Sequence, residues 1–184
     1  MLKMKKSVGI LLGLFLIPYI LTGCAGTPMK FNPDSVAPQL IVDPPAIRLG
    51  IARLLNDTPL VFQGKGFKPG DSVFVTIVGV KKDGGTADMP IADAVVEADG
   101  QFKAEVTKPV KITELLQADT ALNDQMEMYV VISRPPIPAG TYTVRAESMD
   151  SDKKAECQLV VKDPSLGDGI KDWLGGLLGK IKKK

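Results

Sequence analysis

Few residues in this chain could do chemistry, and their types narrow the options at once. There is no histidine, so nucleophile systems that depend on imidazole and the common histidine-containing zinc sites are excluded. There are two cysteines, Cys24 and Cys157, and a single tryptophan, Trp173. Asp150, Asp152, Glu147 and Glu156 cluster in sequence as calcium-type oxygen ligands would. Lys153 and Lys154 lie among them, however, and Asp-Ser-Asp is ordinary turn chemistry. Gly64-x-Gly66 lacks the third glycine and the strand-to-helix setting of a dinucleotide loop. Lys81-Lys82-Asp83-Gly84-Gly85 reads as a solvated hairpin tip. Aromatic residues are only 5% of the chain, too few for sugar- or base-stacking platforms. The expectation is therefore a protein without catalytic residues, metal ligands or cofactor.

The two cysteines differ in setting. Cys157 sits in Glu156-Cys157-Gln158-Leu159-Val160-Val161, where Cys157, Leu159 and Val161 share one strand face. It reads as a small buried hydrophobe. Cys24 ends a different kind of segment. Lys3, Lys5 and Lys6 precede an almost wholly apolar run from Val8 to Thr22, interrupted by Pro18, and then comes Leu21-Thr22-Gly23-Cys24. A basic stretch followed by about 15 apolar residues is the layout of an export signal. A membrane-spanning helix needs about 20 and tolerates an internal proline badly.

Leu21-Thr22-Gly23-Cys24 resembles the lipobox of bacterial lipoproteins. The resemblance implies a signal peptide over residues 1–23 and lipidation of Cys24, the first residue of the mature chain. Acyl chains on one residue anchor stably, at about 0.8 kcal/mol per buried methylene. It also implies a place in the bacterial cell envelope, held to membrane lipid. Ala25 stands where that family places Asp in proteins kept at the inner membrane, which favours the outer membrane if the host is diderm.

Charge divides the chain in the same way. The first 23 residues carry three lysines and no acid, and the last 20 carry five lysines against two aspartates. The whole chain has a net charge of +2, so the body between the ends is acidic, at −4. An acidic body lacks the basic face that nucleic acid requires. Residues 24–38 hold Gly26, Pro28, Pro33 and Pro38 and read as the lipidated N-terminus and a tether.

From Gln39 the hydrophobic period is two. Phe102, Ala104 and Val106 alternate with polar residues, as do Tyr142, Val144 and Ala146. Turn residues separate the runs at Lys68-Pro69-Gly70-Asp71, Asp99-Gly100, Pro135-Pro136, Ala139-Gly140 and Asp150-Ser151-Asp152. Strands are expected near 39–43, 46–52, 58–64, 72–80, 91–98, 101–107, 126–133, 141–149 and 154–162. Ile112, Leu115 and Leu116 predict a short inserted helix within 112–124. The class is all-β, a sandwich over 39–162.

Three pieces of this region resemble bacterial immunoglobulin-like modules of the IPT/TIG group. They are Gly64-Lys65-Gly66-Phe67-Lys68-Pro69-Gly70-Asp71-Ser72-Val73-Phe74-Val75, then Asp99-Gly100-Gln101-Phe102, then Pro138 to Ala146 with Ala155 to Val161 closing the sheet. The resemblance implies an immunoglobulin-like β-sandwich. It implies no site, because that fold serves many functions.

The last 22 residues, 163–184, read as an amphipathic basic helix. Ser165 and Asp168 match a capping box. Leu166, Ile170, Trp173, Leu174, Leu177, Leu178 and Ile181 follow at helical spacing, and Lys180, Lys182, Lys183 and Lys184 close the segment. Leu166 to Ile181 would span about 24 Å as a helix, short of the roughly 30 Å hydrocarbon core. Such a stripe needs cover, which a membrane surface, its own sandwich or a partner could supply. The function expected is a lipid-anchored, non-enzymatic module that binds or positions another envelope or extracellular protein. The alternative is a structural subunit of a self-assembling or larger surface complex, joined through this helix.

Overall fold

The computed structural model describes residues 29–82 and 84–184. Cys24, the expected export signal and the first part of the expected tether lie outside them. The fold is all-β and sandwich-like, with three sheets. Strands β1 (Gln39–Asp43), β3 (Val61–Lys65) and β6 (Gln101–Glu105) form the first, in the order β1-β3-β6. Strands β2 (Ala46–Arg48), β4 (Ser72–Lys82), β5 (Gly85–Val95), β9 (Gly140–Ser148) and β10 (Lys154–Lys162) form the second, in the order β2-β10-β9-β4-β5. All its neighbours are antiparallel except β2 and β10.

The inward residues of both sheets make one core. Leu40, Val42, Phe62, Phe102 and Ala104 come from the first sheet, and Val73, Val75, Ile77, Val144, Leu159 and Val161 from the second. At Gly64 the Phe102 ring lies where a side chain would start, with Cε1 2.0 Å from an ideal Cβ. Only glycine permits that approach. Phe67 meets Phe102 edge-on, with ring centroids 5.1 Å apart, and closes one end of the core. Gly66 and Gly70 hold the φ values of +87° and +82° that this corner demands.

The long period-2 runs form strands close to where the sequence places them. The short elements differ. The strand expected over 46–52 stops at Arg48, and Ile51–Asn56 forms a helix, α1. Ile51 and Leu54 point into the core at helical spacing. Strand β5 begins at Gly85 rather than near 91. In the insert, Lys108–Val110 runs into a π-helical turn, Lys111–Leu115; together they are α2. Asp119–Leu122 is then a strand, β7, in a segment expected to be helical, and it pairs with β8 (Met128–Ile132).

The C-terminal segment needs a larger correction. Helix α3 covers Leu166–Leu177 only, and Ile181–Lys183 is a strand, β11. β11 pairs in parallel with β8 and completes the third sheet, β11-β8-β7. Gly179, at φ +70°, ends the helix: its N–H donates to the Gly176 carbonyl and the Lys180 N–H to the Gly175 carbonyl. That pair of bonds is the Schellman closure. The described part of the expected tether, residues 29–38, makes contacts with the body. Met29 packs against the core, Asn32 exchanges hydrogen bonds with the Gln39 side chain at 2.7 and 3.0 Å, and the Ser35 N–H donates to the Asn32 carbonyl.

Candidate functional site

α3 is joined to the body by its polar side. The Asp172 carboxylate accepts hydrogen bonds from the Ile51 and Ala52 N–H groups, at 3.0 and 2.8 Å, and so caps the start of α1. Asp168 faces Arg53 at 3.5 Å, and Lys171 Nζ lies 2.9 Å from Asp57 Oδ2. Asp168 also closes the capping box: its Oδ2 accepts from the Ser165 N–H at 2.8 Å, and its own N–H donates to Ser165 Oγ at 3.2 Å. Burial works to raise the Asp168 carboxyl, but the Ser165 hydrogen bonds and the Arg53 charge outweigh it and hold the group below the usual carboxylate range. A Cβ at Gly50 would lie 2.5 Å from the Asp168 Cβ, so the two helices touch here because residue 50 is glycine.

The far end of α3 is fixed by β11. The Val130 N–H donates to the Lys180 carbonyl at 2.9 Å, and the Lys184 N–H to the Ile132 carbonyl at 3.0 Å. The Ile181 side chain turns back onto Gly175 and joins the edge of the core. Lys182 Nζ lies 4.3 Å from the centre of the Tyr129 ring.

With its polar side engaged, the helix turns its apolar side outward. Leu166, Ile170, Trp173, Leu174, Leu177 and Leu178 are exposed, from 45% for Leu174 to 92% for Leu166. The structure therefore gathers six of the seven stripe residues on one open face. It removes Ile181, which is half-buried in β11, and Lys182, which is spread over Tyr129. The sandwich does not cover the stripe. A contiguous apolar face of this kind makes α3 the candidate contact site. Among the described residues no helix is long and apolar enough to cross a membrane.

Two of the four acidic candidates are engaged in ion pairs. Glu147 pairs with Lys154 and Glu156 with Arg145, the latter at 2.8 Å. The Asp150 N–H donates to Asp71 Oδ1 at 3.1 Å. Among the described residues no three His, Cys, Asp or Glu side chains gather as a metal ion would need. Cys157 faces the core, and burial pushes its thiol up to about 12, which leaves it unreactive at neutral pH.

Sequence reasoning missed α1 and with it Gly50, Arg53 and Asp57. The spacing of Ile51, Leu54 and Leu55 carried the signal, because i, i+3, i+4 belongs to a helix. It also missed an apolar pocket of about 500 Å³ bounded by α1, α2, β7, β8 and β11.

No protein-family model matches the sequence, and no curated protein matches it. Among solved structures, macromomycin aligns over 68% of this chain and 99% of its own, at 16% identity and a TM-score of 0.37. A β-glucosidase from Listeria innocua, in complexes with isofagomine and with glucose, aligns over 68% of this chain at 13% identity and a TM-score of 0.34. The chain spans only 16% of that enzyme's length.

Proposed function

We propose that this chain is an exported, lipid-anchored and non-enzymatic immunoglobulin-like module that binds or positions another protein of the cell envelope. Acylated Cys24 holds it to membrane lipid, and the outward face of α3 receives the partner. One observation carries the reading. α3 is fixed to the body by Asp168, Lys171 and Asp172 and tied down by β11, so its apolar side chains stand outward at set positions. A helix loosely seeking a lipid surface would gain nothing from being held at both ends. A helix that must match a protein surface gains preorganisation. Trp173 at the middle of the face is the side-chain type that most often anchors such contacts.

A photoreactive phenylalanine placed at 173 or 177, in cells that make the protein, tests this reading. The expected product is a discrete protein adduct from both positions and none from Lys103, an exposed residue on β6. Adducts with lipid alone would contradict the reading and favour a helix lying on the bilayer. An adduct of two copies would favour the self-assembling subunit.

A further inference from the structure

The pocket beside α3 has a chemistry of its own. It is open to solvent, and its volume of about 500 Å³ falls within the range of small-molecule sites. Its walls are mainly apolar. Ile51, Ile112 and Val130 belong to the main core, and Met128 and Ile181 extend the same surface outward. Water in contact with such walls is released when an apolar group takes its place.

The polar groups are few and one-sided. Lys108 and Lys180 line the pocket, and both are exposed. Neither is ion-paired with a described residue, and no Asp or Glu is among the lining residues. Lys111 stands near Lys108 and adds positive charge, which Glu105 partly offsets; its Nζ donates to the Thr58 carbonyl at 2.7 Å. The only uncharged polar side chains are Asn56 and Thr120. That set is too sparse to orient a sugar or a nucleotide. A neutral hydrocarbon would leave the two lysines unused. Apolar walls edged by cations that have no described ion-pair partner complement a molecule that is mostly hydrocarbon and carries one anionic end.

We propose that this pocket holds a single long-chain carboxylate. The alkyl chain lies against Ile112, Met128, Val130 and Ile181, and the carboxylate is taken up by Lys108 and Lys180. Two of these residues belong to the segment that fixes α3. Ile181 lies in β11 and packs on Gly175, and the Lys180 carbonyl accepts from the Val130 N–H. A bound chain therefore also supports the position of the helix.

The test uses the full chain reconstituted in phosphatidylcholine nanodiscs with a hexadecanoate that carries a photoactivatable diazirine. After irradiation and digestion, adducts should map to peptides containing Ile112 and Met128, and excess unlabelled hexadecanoate should suppress them. Thr120→Trp, which places a bulky ring in the pocket from an exposed strand position, should abolish these adducts. Replacing both Lys108 and Lys180 by Gln should lower them by about fivefold. The same replacement should leave adducts of the matching long-chain alcohol unchanged. Adducts confined to the outward face of α3, or pocket adducts that survive Thr120→Trp or ignore the loss of both lysines, would overturn the assignment. A variant that unfolds is recognised by loss of the protected amides of β9 and β10 in hydrogen exchange. Thr120→Val, of nearly the same size, then separates pocket filling from misfolding, since it should bind as the parent does; failure of Thr120→Val to bind would also count against the site.

Discussion

Just before β4, Asp71 accepts hydrogen bonds from the Ser148 and Ser151 hydroxyls and from the Asp150 N–H, and it is buried. The Ser148 bond is the main cause that lowers its carboxyl from 3.8 to about 2; burial opposes this, and the Ser151 and Asp150 bonds reinforce it. The depressed value means that the fold prefers the charged form. Its contribution to stability is complete above the unfolded value of 3.8 and is lost as pH falls through about 2. Asp71→Asn cannot carry the charge. The gap in Tm between the parent and this variant should therefore be widest near neutrality and narrow as pH falls across that window. Melting curves at stepped pH would show it, and a constant gap would refute it. From the sequence, Asp71 is only a turn residue after Pro69-Gly70. Its partners lie 77 and 80 positions away, so local pattern cannot reveal the network.

Among the elements, those that form for local reasons were legible and those that form for distant reasons were not. Alternation in 101–107 and 141–149 reports one buried sheet face, and both strands stand where it places them. The capping box at Ser165 and Asp168 is local and is present. α1, by contrast, has six residues, too few to be stable alone. It is capped by Asp172, 120 positions further on. β11 reads as the basic end of a helix because Ile181-Lys182-Lys183 has no alternation long enough to detect. Its signal was Gly179, a left-handed cap that halts α3 before the lysines. β7 is mostly exposed and owes its form to pairing with β8. The junction of α1 and α3 follows the same logic and can be tested. Asp172→Ala leaves the Ile51 and Ala52 N–H groups without acceptors and should cost about 1–2 kcal/mol. Hydrogen exchange should quicken across 166–177 while the amides of β9 and β10 keep their protection. Unchanged exchange in α3 would show that Asp172 does not hold it. Asp172→Asn keeps a carbonyl acceptor and should fall between the two.

For the whole molecule, a proposed lipid anchor at one end precedes a sandwich-like body and a helix whose apolar face the body leaves open. The sequence could state that the stripe needs cover but could not say from which side. That answer depended on Asp168, Lys171 and Asp172, which look like interruptions of an amphipathic helix and are its attachment to α1. The central claim is that the face around Trp173 stands open until a protein partner closes it. Trp173 is the only tryptophan, so it reports on that face alone. The most direct measurement is acrylamide quenching of the full chain in phosphatidylcholine nanodiscs, with 5-hydroxytryptophan at 173 so that it can be excited apart from other proteins. The account predicts an indole that is largely but not fully accessible in the nanodisc alone, in line with its 63% exposure, and shielded once the envelope protein fraction is added. An indole already shielded in the nanodisc alone, against lipid or against the chain's own body, would contradict it.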